Sequence, residues 1–173
     1  MKTVGVAAAL AIALVVAGSA LAAGGNKTMV KADPLTGYQE ATPAGVSTGA
    51  SGSFEATIDE DASTIDFTLS YSGLEAPVVV AHIHFGNRFT SGGVSVFLCG
   101  GGSKPACPQQ GTVTGTVTAA DVIGPTGQGI EPGAFAELVR AMRAGVTYTN
   151  VHSTKFPGGE IRGQINDTNQ RQP

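Results

Sequence analysis

The sequence predicts an all-β fold, an antiparallel Greek-key-like β-sandwich or flattened barrel with one short helix. Glycine and proline are abundant, with 25 and 9 residues, and both are frequent in the tight turns that join short strands. Apolar and polar residues alternate over many short stretches, as they do in strands with one buried face. Only one stretch has apolar residues at helical spacing. Short alternating stretches between turn residues are typical of sandwiches and barrels.

The first 22 residues have the layout of a secretory signal peptide. Lys2 precedes an uncharged apolar run over 4–17, and Ala20-Leu21-Ala22 matches the small-residue cleavage motif. The run of roughly 14 residues is shorter than the ~20 needed to cross a bilayer, so we interpret it as a cleaved leader rather than an anchor. We therefore expect cleavage between Ala22 and Ala23, and a periplasmic or secreted mature chain with no membrane span.

The mature chain is about 150 residues long, which is enough for one domain with its own core. Without Lys2 it holds 9 basic and 13 acidic residues, a formal charge of −4. No basic run occurs, so nucleic acid is disfavoured as a partner, and an extracytoplasmic protein or surface ligand is expected instead. The domain is expected over 33–166, between a polar lead-in at 23–32 and a disordered tail at 167–173.

The alternating stretches predict the strands in chain order. An edge strand and a loop are expected within 33–50. Alternate apolar residues over 54–58 and over 65–71, with a polar turn between them, predict an antiparallel hairpin. Five more strands follow, and the helix is expected over 132–145, where an apolar stripe ends at a glycine. The seven alternating strands are 52–59, 63–74, 76–86, 93–100, 110–122, 145–154 and 159–166.

Cys99 and Cys107 are the two cysteines of the chain, and both lie in one Gly-rich loop. In an oxidising compartment, two nearby cysteines indicate a disulfide. The alternative is a thiol metal site or a redox pair, but the Cys-x-x-Cys spacing of such sites is missing. We therefore predict a disulfide between Cys99 and Cys107.

The three histidines form the candidate functional site. His82 and His84 are two apart on one predicted strand, so their side chains lie on the same face, about 6–7 Å apart. On a later strand, His152 shares a face with Tyr148 and Asn150 by the same alternation. If these strands pair or face each other, the three imidazoles converge. The alternatives are that the histidines fasten loops through hydrogen bonds, or that they form an exposed pair with no ligand.

A cluster of three imidazoles suits a metal ion such as copper or zinc. Three protein ligands leave one coordination position open for water, an exogenous ligand or a small oxidant. Because only a neutral imidazole binds a metal, affinity is expected to fall below about pH 6.5.

Glu160 and Arg162 are two apart on the last predicted strand, after a turn at 157–159. The structural interpretation is that they satisfy buried carbonyl and amide groups of loops at this end of the sheet. The functional alternative for Glu160 is to accept a hydrogen bond from a ligand histidine, and Asn150 is a second candidate for a supporting role. Nucleophile elbows, phosphate loops and dinucleotide motifs are absent from the sequence, so a binding or structural module is favoured over an enzyme.

The stretches around His82 and His152 resemble the CHRD domain, a module named after its repeats in chordin. The resemblance extends over roughly residues 33–166, and it implies an extracytoplasmic β-sandwich that acts by binding or as a structural module. The Cys-rich modules that accompany those repeats in chordin are absent, so growth-factor binding is not carried over. Ser153 stands where the family more often has Thr, which keeps the hydroxyl. The closing motif matches at Gly145, Tyr148, Asn150, Val151, His152, Phe156, Pro157, Gly159, Glu160, Ile161, Arg162, Gly163 and Gln164.

The histidine pattern is also similar to that of copper–zinc superoxide dismutase, which implies a dismutase-like sandwich. The resemblance implies His82, His84 and His152 as copper ligands and Arg162 as a guide for the anion. The chain departs from that family because it lacks a bridging fourth histidine and a zinc-binding cluster. Two functions remain open: a CHRD binding or structural module with a copper site, and a copper-dependent redox or copper-sequestering protein related to the dismutases.

The leader assignment predicts that the exported protein begins at Ala23. The Ala20-Leu21-Ala22 motif places the signal peptidase site there. Amino-terminal sequencing or intact-mass measurement of the exported protein checks this, and exported material that still begins at Met1 would contradict it.

Overall fold

The structure, a computed structural model, describes Met1, residues 27–42 and residues 44–167. The predicted leader after Met1 and the predicted tail beyond Asp167 lie outside the described residues. Eight antiparallel strands form one sheet that is nearly closed into a barrel, so the predicted all-β fold with one helix is confirmed. The elements are β1 (Lys27–Thr36), β2 (Ser51–Asp59), β3 (Thr64–Ser72), β4 (Val78–Phe85), β5 (Gly93–Cys99), β6 (Gly111–Val117), α1 (Phe135–Arg143), β7 (Thr147–Ser153) and β8 (Ile161–Asp167).

The order of strands in the sheet is β5-β4-β7-β8-β1-β2-β3-β6. The pairs β1–β2, β2–β3, β4–β5 and β7–β8 are antiparallel neighbours in both sequence and space. The crossovers set β4 beside β7 and β8 beside β1, which leaves β5 and β6 as the two edge strands. Three short 3₁₀ helices lie in the connections, at Gly37–Gln39, Ala119–Asp121 and Thr126–Gln128. Among the described helices, none has the length and apolar character needed to cross a membrane.

The strand β1 corrects two sequence-based predictions. It begins at Lys27, inside the predicted polar lead-in, and it pairs with both β2 and β8 rather than lying at an edge. Val30, Ala32 and Leu35 are its buried residues. The register of β1 shifts between Ala32 and Leu35, where Pro34 has no N–H to donate. Because of this shift, the apolar residues of β1 do not alternate regularly along the sequence. This bulge brings Leu35 into the core in place of Pro34.

The hairpin of β2 and β3 supplies much of the core, as the sequence predicted. The two strands pair without a register shift from Ser51 opposite Ser72 to Asp59 opposite Thr64. Their alternate residues point inward, and the rings of Phe54 and Phe67 stack with centroids 6.3 Å apart. The fully buried side chains of the hairpin are Phe54, Ile58, Ile65 and Leu69.

The helix α1 lies against β8 and presents the predicted apolar stripe to the core. Leu138, Val139 and Met142 are buried. The helix ends before Gly145, whose φ of 67° is a left-handed conformation that glycine adopts without steric cost. Arg143 donates a 2.7 Å hydrogen bond to the Thr28 hydroxyl, which connects the end of the helix to β1.

The pairing of β4 with β7 places the histidines. His82 is opposite Asn150, His84 is opposite Tyr148, and Val80 is opposite His152. Residues directly opposite each other in an antiparallel pair share a face, so the three histidines lie on one side. All seven residues of β7 are buried, which means that loops cover the histidine face while the opposite face packs into the core.

The loop between the two edge strands is closed by the predicted disulfide, since Cys99 and Cys107 are bonded. Other contacts fasten this loop to its surroundings. The Tyr71 hydroxyl donates a 2.7 Å hydrogen bond to the carbonyl of Pro108, and Lys104 forms a 2.7 Å ion pair with Asp121. The loop therefore bridges the gap between β5 and β6 with several attachments.

The disulfide is expected to add about 2 kcal/mol to the free energy of unfolding, because it closes a short loop and removes little chain entropy. A double variant, Cys99→Ser with Cys107→Ser, and the reduced wild-type protein should show the same loss in urea titrations. A loss above about 5 kcal/mol, or none, would contradict this account of the loop.

Candidate metal centre

The structure brings the three predicted histidines together on the face shared by β4 and β7. The ring centroid of His82 lies 5.1 Å from that of His84 and 4.9 Å from that of His152. One ring nitrogen of each residue lies within 4.8 Å of the other two. The side chains are buried, with exposed fractions of 7% to 8%. This group could hold a metal ion, as the sequence spacing predicted.

Backbone carbonyls determine which nitrogens of two rings carry hydrogen. Nδ1 of His84 lies 2.9 Å from the carbonyl of Gly92, and Nδ1 of His152 lies 2.9 Å from the carbonyl of Pro157. A carbonyl oxygen only accepts hydrogen bonds, so each Nδ1 is the donor, and Nε2 of the neutral ring is left bare. Nε2 of His84 is buried and has no hydrogen-bond partner among the described residues. Both rings thus present a lone pair to the cluster.

His82 completes the group through its other nitrogen. Its Nδ1 lies 3.1 Å from Nε2 of His152. Two ligands bound about 2.0–2.1 Å from a tetrahedral ion are roughly 3.4 Å apart, so this pair already has ligand-like spacing. In the neutral ring, Nδ1 of His82 becomes a ligand atom when the hydrogen resides on Nε2.

An aromatic ring closes one side of the cluster. Phe97 on β5 packs against His82, with ring centroids 4.8 Å apart at an angle of 61°. Gly101, in the disulfide loop, lies directly on Phe97, since a Cβ there would be 2.3 Å from the ring. The absence of a side chain at this glycine lets the loop approach Phe97, and so the disulfide loop supports the wall of the site.

Burial keeps the cluster uncharged. Loss of solvation lowers the pKa of His82 to about 3, and the neighbouring His152 and His84 lower it further. For His84, burial lowers the pKa to about 4 although the Gly92 carbonyl favours the protonated ring. Burial also lowers the pKa of His152. At neutral pH the three rings are therefore neutral, which is the form that binds metal ions.

Tyr148 and Arg162 form a stack behind His84. The rings of His84 and Tyr148 are parallel within 2°, with centroids 4.7 Å apart. The guanidinium carbon of Arg162 lies 3.4 Å from the Tyr148 centroid. The Tyr148 hydroxyl accepts a hydrogen bond from the backbone amide of Gly92. Tyr148 therefore supports both the His84 ring and the residue whose carbonyl orients it.

Arg162 organises the loop between β4 and β5. Its Nη1 donates to the carbonyl of Thr90 at 2.9 Å, and its Nη2 donates to the carbonyl of Asn87 at 2.8 Å. The residue is 1% exposed. The dismutase resemblance implied Arg162 as a guide for the anion, but its guanidinium is buried and bonded to two carbonyls, so it does not face solvent. Its contacts match the structural interpretation instead.

Glu160 also has the contacts of a structural residue. It is fully buried, and its Oε1 accepts 2.9 Å hydrogen bonds from the Thr48 hydroxyl and from the backbone amide of Glu75. These partners lie in the segments before β2 and before β4. Glu160 therefore joins two loops at the start of β8, as the structural alternative predicted.

Glu40 is a buried acid beside the cluster that the sequence analysis missed. It is 5% exposed, and burial raises the pKa of its carboxyl to about 7 even though Arg162, a hydrogen bond from Asn150 and the Ala41 amide all favour the ionised form. Asn150 in turn places its Oδ1 3.0 Å from Nε2 of His152. Glu40 lies in a loop with no periodic pattern, so only the three-dimensional fold brings it to Asn150.

The comparisons with known proteins give one family. A model of the CHRD domain matches residues 32–165, which covers most of the chain. Neither the search of curated proteins nor the search of solved structures found a match. The matched range contains the three histidines and all the residues that surround them. The chain belongs to the CHRD domain family.

Proposed function

We propose that this CHRD-family chain is an extracytoplasmic metal-binding module that holds a copper ion through His82, His84 and His152. The observation that carries the proposal is the pair of bare Nε2 atoms on His84 and His152. Each ring is turned by a carbonyl at its Nδ1, so that the lone pair of Nε2 faces the cluster. A buried nitrogen without a partner, such as Nε2 of His84, destabilises the fold unless another group or an ion satisfies it.

Copper is the metal that best fits the ligands. Imidazole nitrogen suits both copper and zinc, and a given set of nitrogen ligands binds Cu²⁺ more tightly than Zn²⁺. The carbonyl contacts at Nδ1 are the usual outer support of a ligand histidine, since they hold the ring and increase its basicity. At neutral pH the three rings carry no extra proton, so a metal ion can bind them without displacing one.

Binding is better supported than redox catalysis. Besides the three histidines, the described residues offer no fourth imidazole for a dismutase-type bridge. The guanidinium of Arg162, which the dismutase resemblance implied as a guide for the anion, is bonded to two loop carbonyls. The predicted leader and the extracellular proteins in which CHRD domains typically occur support an extracytoplasmic location. We therefore favour a module that retains copper, with an extracytoplasmic protein or a surface ligand as its partner.

The mature protein, purified without a histidine tag, is expected to bind one copper ion per chain and to prefer copper over zinc. Replacing a ligand should weaken Cu²⁺ binding by at least about tenfold in His84→Ala and in His152→Ala. Competition with a chromophoric chelator measures both affinities. Thr114→Ala, on the exposed part of β6, is the matched control and should bind like the wild type. Equal affinity in the wild type and the triple-alanine variant would contradict the proposal.

The burial of the histidines alters the expected pH dependence. A proton competes with copper for the same lone pair, so affinity falls with pH only where the rings take up protons. Burial lowers the pKa of all three rings, to about 3 for His82 and to about 4 for His84, so the fall in affinity should begin at a lower pH than for an exposed histidine and should be steep near pH 4. Chelator competition at decreasing pH checks it. A decline that begins near pH 6.5, as for an exposed histidine, would contradict the effect of burial.

A further inference from the structure

We propose that the side-chain oxygen of Asn150 is the fourth ligand of the copper site, which makes the site a closed one of three nitrogens and one oxygen. This inference rests on the proposed function, since it concerns the same ion. It replaces the open coordination position expected from the sequence, and it assigns a direct role to a residue that the sequence analysis placed among the supporting ones.

The first argument is a contact between two atoms that both carry lone pairs. Oδ1 of Asn150 lies 3.0 Å from Nε2 of His152. That nitrogen is bare in the neutral ring, because Nδ1 of His152 donates to Pro157. Neither atom has a hydrogen to offer the other, so the contact is repulsive unless a cation lies between them. A spacing of 3.0 Å is close to the roughly 3.4 Å expected for two ligands of one tetrahedral ion.

The second argument is that Asn150 lies on the same face of the sheet as the histidines. It is directly opposite His82 in the pairing of β4 with β7, and residues opposite each other share a face. Nδ1 of His84 is already bonded to Gly92, and its Nε2 is buried without a hydrogen-bond partner among the described residues. The amide oxygen therefore lies among the lone pairs of the cluster and adds a fourth one.

Glu40 explains why the oxygen, rather than the nitrogen, of the Asn150 amide faces the histidines. The amide Nδ2 of Asn150 and the Glu40 carboxyl lie on the same side of the cluster, both next to Gly159. An amide that donates its Nδ2 hydrogens to Glu40 directs Oδ1 the other way, toward His152. Gly159 permits this contact, because a Cβ there would lie 2.3 Å from Oε1 of Glu40 and 2.8 Å from Nδ2 of Asn150.

The competing arrangement is the reversed amide, in which Nδ2 donates to the bare histidine nitrogens. In that case Asn150 would satisfy the cluster by itself, and Glu40 would have to donate a hydrogen to Oδ1. A bound copper ion would then lack the oxygen ligand and would keep a position for water. The two arrangements therefore differ in whether water reaches the ion.

A closed site has a different use from an open one. Four protein ligands are typical of metal sites that hold an ion, whereas catalytic sites keep a position for water or substrate. An asparagine ligand supported by a buried carboxyl follows the common plan in which an outer residue orients a ligand. The donor set thus favours copper retention over copper-dependent redox chemistry.

The test is the longitudinal relaxation rate of water protons in solutions of the full mature protein loaded with Cu²⁺. A closed site should give a rate per bound ion far below that of aqueous Cu²⁺, since no water binds the ion. Asn150→Ala should open the site, raise this rate at least about twofold, and weaken Cu²⁺ binding by about tenfold or more. Asn150→Asp keeps an oxygen at the same place and should restore the low rate. Thr114→Ala again serves as the control.

The outcomes separate the two proposals. If the wild-type protein binds no Cu²⁺, the copper site itself is wrong, and this inference falls with it. If the wild type binds Cu²⁺ but already shows the high rate of a water-bound ion, the copper site stands and the fourth ligand is wrong. This measurement needs no variant, so it decides the question even if Asn150→Ala fails to fold. Equal rates and affinities in the wild type and Asn150→Ala would refute the ligand role as well.

Discussion

Two backbone carbonyls determine the chemistry of the histidine cluster, and the contacts of the surrounding loops hold those carbonyls in place. The carbonyls of Gly92 and Pro157 each accept a hydrogen bond from Nδ1 of a histidine. Because a carbonyl has no hydrogen to give, both rings must carry theirs on Nδ1, and both Nε2 atoms are bare. Burying bare nitrogens together costs free energy unless a positive or hydrogen-donating group meets them. The group could therefore hold a cation.

The sheet and its loops keep those carbonyls in place. Arg162 on β8 bonds to two carbonyls of the β4–β5 loop, and Tyr148 on β7 bonds to the Gly92 amide of the same loop. The stack of Arg162, Tyr148 and His84 joins three neighbouring strands to one loop. The other carbonyl belongs to the turn between β7 and β8, which Glu160 and its partners fasten. Arg162, Tyr148 and Glu160 are separate positions of the motif, but all three help to hold the two carbonyls that accept hydrogen bonds from the histidines.

Burial and charge work together in this site. Three imidazoles so close to each other could not all be protonated without strong repulsion, and burial already lowers their pKa values. The result is a neutral pocket lined by lone pairs. The buried carboxyl of Glu40 lies close to this pocket, with Asn150 between them. An acid–base catalyst needs groups that titrate near the working pH, whereas a metal site needs ligands that stay neutral. The histidines of this pocket stay neutral, as the ligands of a metal site do.

The sequence by itself determined the local features: the alternation of the strands, the helical stripe, the disulfide and the shared face of His82 and His84. The strands, the helical stripe and the shared histidine face depend on periods of two and 3.6 residues, and the disulfide joins two cysteines of one loop. All of these features involve only neighbours along the chain. The tertiary structure decided that β4 lies beside β7, that loops cover the histidine face, and that Glu40 meets Asn150. It also buried the histidines, which lowers their pKa values, and it moved β1 into the middle of the sheet. Such outcomes depend on contacts between distant segments and on the solvent those contacts exclude, which no local pattern records.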